Sequence, residues 1–135
     1  RSDDITVNNA ISGTGSLSKL GANTLTLTGL QTYSGSTATG DAGGAVVFHN
    51  DAPPASLTYT GAGQVVIEPN STSFTADLVS SYDFASTITG VRLGSDGNTK
   101  NITTSKAVCA GVEPSIKSSP AQCLQCDSQR LRTCP

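Results

Sequence analysis

Apolar residues return along this chain at a fixed interval: Ile5 and Val7, then Leu25 and Leu27, Ala45 and Val47, Val65 and Ile67, and Ala85 and Thr87 with Ile88 one place off. A recurrence of that length belongs to solenoid coils, units that cannot bury an apolar face alone and stack on their neighbours instead. The two apolar residues of each pair stand two apart, which fits a strand with one inward face. A second column runs through Leu17, Thr37 and Leu57 and breaks at Asp77. The spacing therefore predicts an all-β parallel β-helix of about four short coils, with Ile5/Val7, Leu25/Leu27, Val47 and Val65/Ile67 stacked inside. Turn signals separate the strands, at Gly13 to Gly15, Gly43-Gly44, Gly61 to Gly63, Pro69-Asn70 and Ser95 to Asn98. Pro53-Pro54 donates nothing to a ladder and is expected in an outward loop.

Composition agrees with a thin core. Charged residues make up 13% and aromatics 4% of the 135 residues, and Trp and Met are absent, all below the usual globular mix. A solenoid tolerates this because each rung buries only a few side chains against the next. A disordered Ser/Thr/Gly linker is the alternative, and strands such as Ala45-Val46-Val47-Phe48 and Gln64-Val65-Val66-Ile67 speak against it.

The segment Ser12 to Ser36, SGTGSLSKLGANTLTLTGLQTYSGS, resembles the repeat of bacterial autotransporter passengers and two-partner-secretion, filamentous-haemagglutinin-like adhesins. Gly13, Gly15, Leu17, Lys19, Gly21, Thr24, Leu25, Thr26, Leu27, Gly29, Tyr33 and Gly35 fall in register with it, while Asn23 replaces a glycine and Gln31 an asparagine. The resemblance implies a right-handed parallel β-helix from a secreted or cell-surface protein, binding extracellular carbohydrate or protein through a Thr/Ser/Asn-rich face. The Phe84 to Thr103 segment resembles a later part of such passengers. Its alternation from Ile88 to Leu93, an Asp96-Gly97 turn and a strand near Lys100 to Thr104 give a hairpin-like expectation.

After about Val108 the composition changes. Cys109, Cys123, Cys126 and Cys134, which are all of the cysteines, lie beyond that point, with Pro114, Pro120 and Pro135. The chain thus divides into a solenoid body, 1–108, and an irregular Cys/Pro-containing tail or cap, 109–135. That tail does not resemble the family. It reads as an end appended to an adhesin fragment, or as a cysteine-stapled cap over the last strand edge. The four cysteines are disulfide candidates with three possible pairings. Cys123 and Cys126 form a C-x-x-C, but a zinc site would need a second such pair or closely spaced histidines, and a redox site a βαβ context.

Chemistry is sparsely marked. His49, with Asp51 two residues on, supplies an imidazole and a carboxylate that would orient it as a general base, in a small hydrolase acting on an ester or lactone. No G-x-S-x-G marks a nucleophile. Asp41, Asp51, Asp77, Asp83 and Asp96 offer oxygen ligands for Ca²⁺ without matching a calcium-binding repeat, and no metal site or resident cofactor is expected. Thr24, Thr26 and Thr28 are the candidate binding residues, as an adhesive face or as a threonine ladder for polysaccharide or ice. A net charge of −2 without a basic cluster argues against nucleic acid. No stretch reaches the ~18 to 20 apolar residues of a membrane span, and no leader is read at Arg1.

Overall fold

The computed structural model describes residues 3–41, 43–52, 58–104, 116–118, 123–127 and 130–133. The first coil lays down β1 (Ile5–Val7), β2 (Ser12–Gly13) and β3 (Leu17–Ser18), and the second β4 (Thr24–Leu27), β5 (Thr32–Tyr33) and β6 (Thr37–Ala38). The third carries β7 (Ala45–His49) and β8 (Thr58–Thr60), the fourth β9 (Gln64–Glu68), β10 (Leu78–Ser80) and β11 (Asp83–Phe84), and β12 (Gly90–Gly94) and β13 (Ile102–Thr104) follow. Successive coils pair in parallel. One face is the run β1-β4-β7-β9-β12, a second is β3-β6-β8-β11, and the third holds β2-β5 and β10-β13. The chain is a parallel β-solenoid of about four coils. No described helix is long and apolar enough to cross a membrane.

The inward column of the first face corrects the expected positions on two rungs, and at its first rung Ile5 is 40% exposed rather than stacked inside. Leu25 pairs with Val46 and Leu27 with Phe48, so Val46 and Phe48 enter the core in place of Ala45 and Val47. Leu17 with Thr37, and Ser18 with Ala38, still keep the interval that joins Ile5 to Leu25, whereas Thr24 with Ala45 exceeds it by one. The added residue therefore falls between Ala38 and Ala45, where a turn is closed by the Gly44 N–H donating to the Asp41 carbonyl at 3.2 Å. One extra residue inverts every side chain of the following strand. Val65 and Ile67 return to register, and the next rung is Val91 and Leu93 rather than Ala85 and Thr87. The coil from Val65 to Val91 is the longest of the stack, and its added length holds the buried Phe74 and Leu78.

Two further expectations change. The second column continues from Thr37 to Tyr59 and Phe84, while Leu57 and Pro53-Pro54 lie outside the described residues. The segment from Gly90 to Thr104 is a corner of a coil and not a hairpin: β12 pairs with β9, and β13 with β10.

Twelve buried apolar residues form one cluster along the axis, from Leu27 to Ile102. Each such side chain stabilises the fold by roughly 1.5–3 kcal/mol relative to exposure. Four of the six aromatics, Phe48, Tyr59, Phe74 and Tyr82, belong to it, and Phe84 packs against it. Tyr59 stacks on Phe84 at 5.0 Å between ring centroids and meets Phe48 and Tyr82 edge-on at 5.9 and 5.6 Å, geometries that add ~0.5–1.5 kcal/mol per pair. Burial pushes the Tyr59 phenol well above its ordinary pKa, with Tyr82 and Tyr33 adding to the effect, and burial likewise raises Tyr82.

Corners leave backbone groups without ladder partners, and buried polar side chains meet them. The Gln31 Oε1 accepts from the Ile11 N–H at 3.1 Å, and its Nε2 donates to the Gly29 carbonyl at 2.7 Å. Gln31 thus bridges two coils. The Lys19 ammonium, also buried, donates to the Gly21 carbonyl. The Thr39 hydroxyl donates to the Thr60 carbonyl at 3.0 Å and accepts from the Gly63 N–H at 2.9 Å.

Beyond the fourth coil, the described parts of the tail are strands: β14 (Ile116–Ser118), β15 (Cys123–Asp127) and β16 (Arg130–Thr133). β14 lies antiparallel on β13, β15 antiparallel on β12, and β16 on β15. The last edges of two faces thereby gain a partner, which is what an exposed sheet edge requires.

Candidate functional site

Alternation along the first face turns Leu25 and Leu27 inward and Thr24, Thr26 and Thr28 outward, each half-buried among its neighbours. Register sets what stands beside them. Thr26 lies between Thr6 and Val47, and Thr24 has Ala45 on the following rung. The outward column through Thr26 then continues as Val66 and Arg92. The Thr-x-Thr pair of β4 is therefore not repeated on the next rungs, so these threonines make a local polar patch and not an extended ladder. Each of Thr24 and Thr28 is tied one coil back: the Thr24 N–H donates to Asp4 Oδ1, and the Thr28 hydroxyl to Asn8 Oδ1, both at 2.8 Å.

His49 ends β7 and stands in the same outward row as Thr28, because Leu27 pairs with Phe48 one residue earlier. Its cross-strand partner is Glu68, the last residue of β9. The His49 Nδ1 is 3.0 Å from Glu68 Oε1, with the two side chains 34% and 22% exposed. The carboxylate that meets the imidazole is thus Glu68, which sequence reasoning did not name. Only the register, placing residue 68 one coil beyond residue 49, points to it.

Asp51 acts elsewhere. Its Oδ1 accepts from the Ser71 N–H at 2.7 Å, fixing the turn one coil on. That bond, with the Ser71 hydroxyl, the Asn70 N–H and the nearby His49 behind it, holds the carboxyl below its ordinary pKa against the opposing desolvation. Asn50, between the two, donates from Nδ2 to the Thr28 carbonyl at 2.9 Å and accepts the Ala52 N–H at 2.9 Å.

The other aspartates singled out for Ca²⁺ are spread along the solenoid. Asp41 Oδ2 accepts from the Gly21 N–H at 3.3 Å, Asp77 Oδ1 accepts from the Asn101 N–H at 3.0 Å, and Asp96 stands 3.8 Å from Arg92. Among the described residues no three His, Cys, Asp or Glu side chains gather. Cys109 and Cys134 lie outside the described residues. Cys123 and Cys126 place their backbones opposite Gly94 and Val91, and their side chains are outside the description.

The described clefts lie away from the histidine. One, of about 260 Å³, is bordered by Ile5, Lys19, Leu20 and Leu25, and another, of about 220 Å³, by Ile11, Leu17 and Tyr33. Both open at the first coil. The imidazole and its carboxylate sit on an outer strand face.

No protein-family profile, no curated protein and no solved structure matches this chain.

Proposed function

We propose that this chain is a structural and binding module of adhesin type, a stiff spacer that engages extracellular carbohydrate or protein through the outward side of its first face. The observation that carries this reading is the row Asn8, Thr28, His49 and Glu68, in which hydrogen-bonding side chains follow one another coil by coil on an outer surface. Thr24 and Thr26 add hydroxyls beside it. Such a face offers donors and acceptors at the strand spacing of about 4.8 Å. Five of the six aromatic side chains are buried and Phe84 is half-buried, so hydrogen bonding rather than ring stacking would hold a sugar.

The test is binding of the purified chain to arrays of glycans and extracellular-matrix proteins, against a Thr24→Ala/Thr26→Ala/Thr28→Ala variant that keeps the wild-type circular dichroism. Saturable binding weakened at least ~10-fold in the variant, about 1.4 kcal/mol, is expected. Binding to nothing on either array, or equal binding by the variant, contradicts the assignment of this face.

One observation favours the hydrolase alternative on an ester or lactone: an imidazole whose Nδ1 is held by a carboxylate has its Nε2 oriented for proton transfer. In that reading Glu68 takes the orienting role first given to Asp51. A panel of fluorogenic esters and lactones, with and without EDTA, decides it. Turnover lost in both His49→Ala and Glu68→Gln would replace the adhesin reading, and turnover absent in the wild type ends the alternative.

A further inference from the structure

Asp96 is the one aspartate of this chain that precedes a glycine, and no asparagine precedes one. The pair lies in the turn Ser95 to Asn98, closed by the Asn98 N–H donating to the Ser95 carbonyl at 3.0 Å. Both ends of that turn are fixed. Leu93 is buried in the core, and the buried Asn98 side chain accepts from the Ser73 hydroxyl at 2.9 Å and the Phe74 N–H at 3.3 Å while donating to the Lys100 carbonyl at 2.8 Å. Between these anchors Asp96 and Gly97 stand exposed. The Asp96 side chain is 68% exposed, and its contact with Arg92, at 3.8 Å, is of the surface kind that holds a side chain weakly. Among the described residues the Gly97 N–H has no acceptor.

We propose that Asp96 is a site of spontaneous modification, converted to isoaspartate through a cyclic imide with Gly97. The Gly97 nitrogen attacks Asp96 Cγ and closes a five-membered ring, and the amide hydrogen leaves with the carboxyl's hydroxyl as water. A second water then opens the imide. Opening at Cγ restores aspartate. Opening at the α-carbonyl leaves the chain running through Cβ and Cγ, one methylene longer, with the α-carboxyl as the new side group. One water is lost and one regained, so neither an oxidant nor an enzyme is required. Glycine matters at the second position because it has no Cβ to crowd the attacking nitrogen. The fold in turn demands glycine there: a side chain added at Gly97 would enter the Thr72 γ-methyl and lie 3.2 Å from the Thr72 carbonyl. The neighbouring coil thus disfavours the substitutions that would shield the nitrogen. Every other aspartate precedes a residue with a side chain, and Asp41, Asp51 and Asp77 are also held by backbone N–H groups of adjacent coils. The modification follows from this turn alone and stands whether the chain binds or hydrolyses.

The experiment is incubation of the folded chain in warm buffer near neutral pH, sampled over weeks and digested with trypsin, which cuts after Arg92 and Lys100 and releases residues 93–100. A second form of that peptide, equal in mass, is expected. It should resist a protease that cuts before aspartate, and accept a labelled methyl group from an isoaspartyl carboxyl methyltransferase. Isoaspartate should build up there at least ~10-fold faster than in any other peptide of the digest, a barrier lower by about 1.4 kcal/mol. Formed in water enriched in heavy oxygen, it should carry one heavy oxygen atom. Asp96→Glu, which would need a six-membered ring, should form none while its circular dichroism stays that of the wild type. The free peptide of residues 93–100 gives the rate of the unrestrained sequence. Isoaspartate in the free peptide but not in the folded chain would mean that the turn holds Asp96 away from Gly97, and overturns the proposal. So does faster formation at another aspartate.

Discussion

Gly35 lies directly beneath Gly15: a side chain added at Gly35 would enter the Gly15 carbonyl, with the Ser16 Oγ 2.6 Å from the new carbon. Gly15 belongs to the first coil and has nothing within 4 Å of the corresponding position. Two glycines in the same slot of the repeat thus carry different loads.

Alanine substitution should separate them. Gly35→Ala forces a coil off its neighbour and is expected to cost about 1–3 kcal/mol, as overpacking does. Gly15→Ala should change stability by no more than ~0.5 kcal/mol. Urea unfolding midpoints of the two variants make the comparison, and equal effects would mean that the coils are not stacked in this register.

The buried phenols predict weakness in alkali. Tyr59 and Tyr82 have their pKa values raised in the fold, so both states are protonated below the unfolded value of about 10 and no stability is lost there. Above it the unfolded chain ionises first, and stability falls as pH rises towards the folded values. Denaturant midpoints should hold constant to about pH 9 and fall beyond ~10, with a shallower fall in Tyr82→Phe. A midpoint flat through that range would place these rings in water.

The His49–Glu68 pair is partly exposed, and its contribution to folding is expected to be small. Glu68→Gln and His49→Ala should each shift stability by less than about 1 kcal/mol at neutral pH, and less still in molar salt. A larger loss would make the pair a structural clasp and not a surface feature.

Truncation after Val108 removes the partners of β12 and β13 but no contact between the first four coils. The shortened chain should keep a strand-type circular dichroism spectrum and gain a tendency to associate through the bared edges. Loss of the folded spectrum would show that residues 109–135 are needed to close the solenoid.

The reach of the sequence followed from where the repeat keeps its length. Ile5/Val7, Leu25/Leu27 and Val65/Ile67 were legible because the first coil has the regular interval, and the one-residue excess between Leu25 and Val46 is cancelled by a one-residue deficit between Val46 and Val65. Val46 and Phe48 were hidden by the single residue added before Ala45, and Val91 and Leu93 by the longer coil between β9 and β12. Turns absorb such insertions without a periodic mark. Glu68 escaped notice as the partner of His49 for the same reason, since a contact one coil away is visible only when that coil's length is known. Gln31, a departure from the repeat, occupies a corner where a long amide reaches two coils at once.

The parallel stacking of coils is tested most directly by scalar coupling through the hydrogen bonds themselves. In an NMR spectrum of the labelled chain, the amide nitrogen of Thr28 should couple to the carbonyl carbon of Val7, that of Thr32 to Ile11, and that of Thr39 to Thr60, bonds of 2.9 to 3.0 Å in the structure. Cross-peaks that join residues one coil apart establish the solenoid and its register. Couplings that instead join residues a few positions apart, as in hairpins, would contradict it.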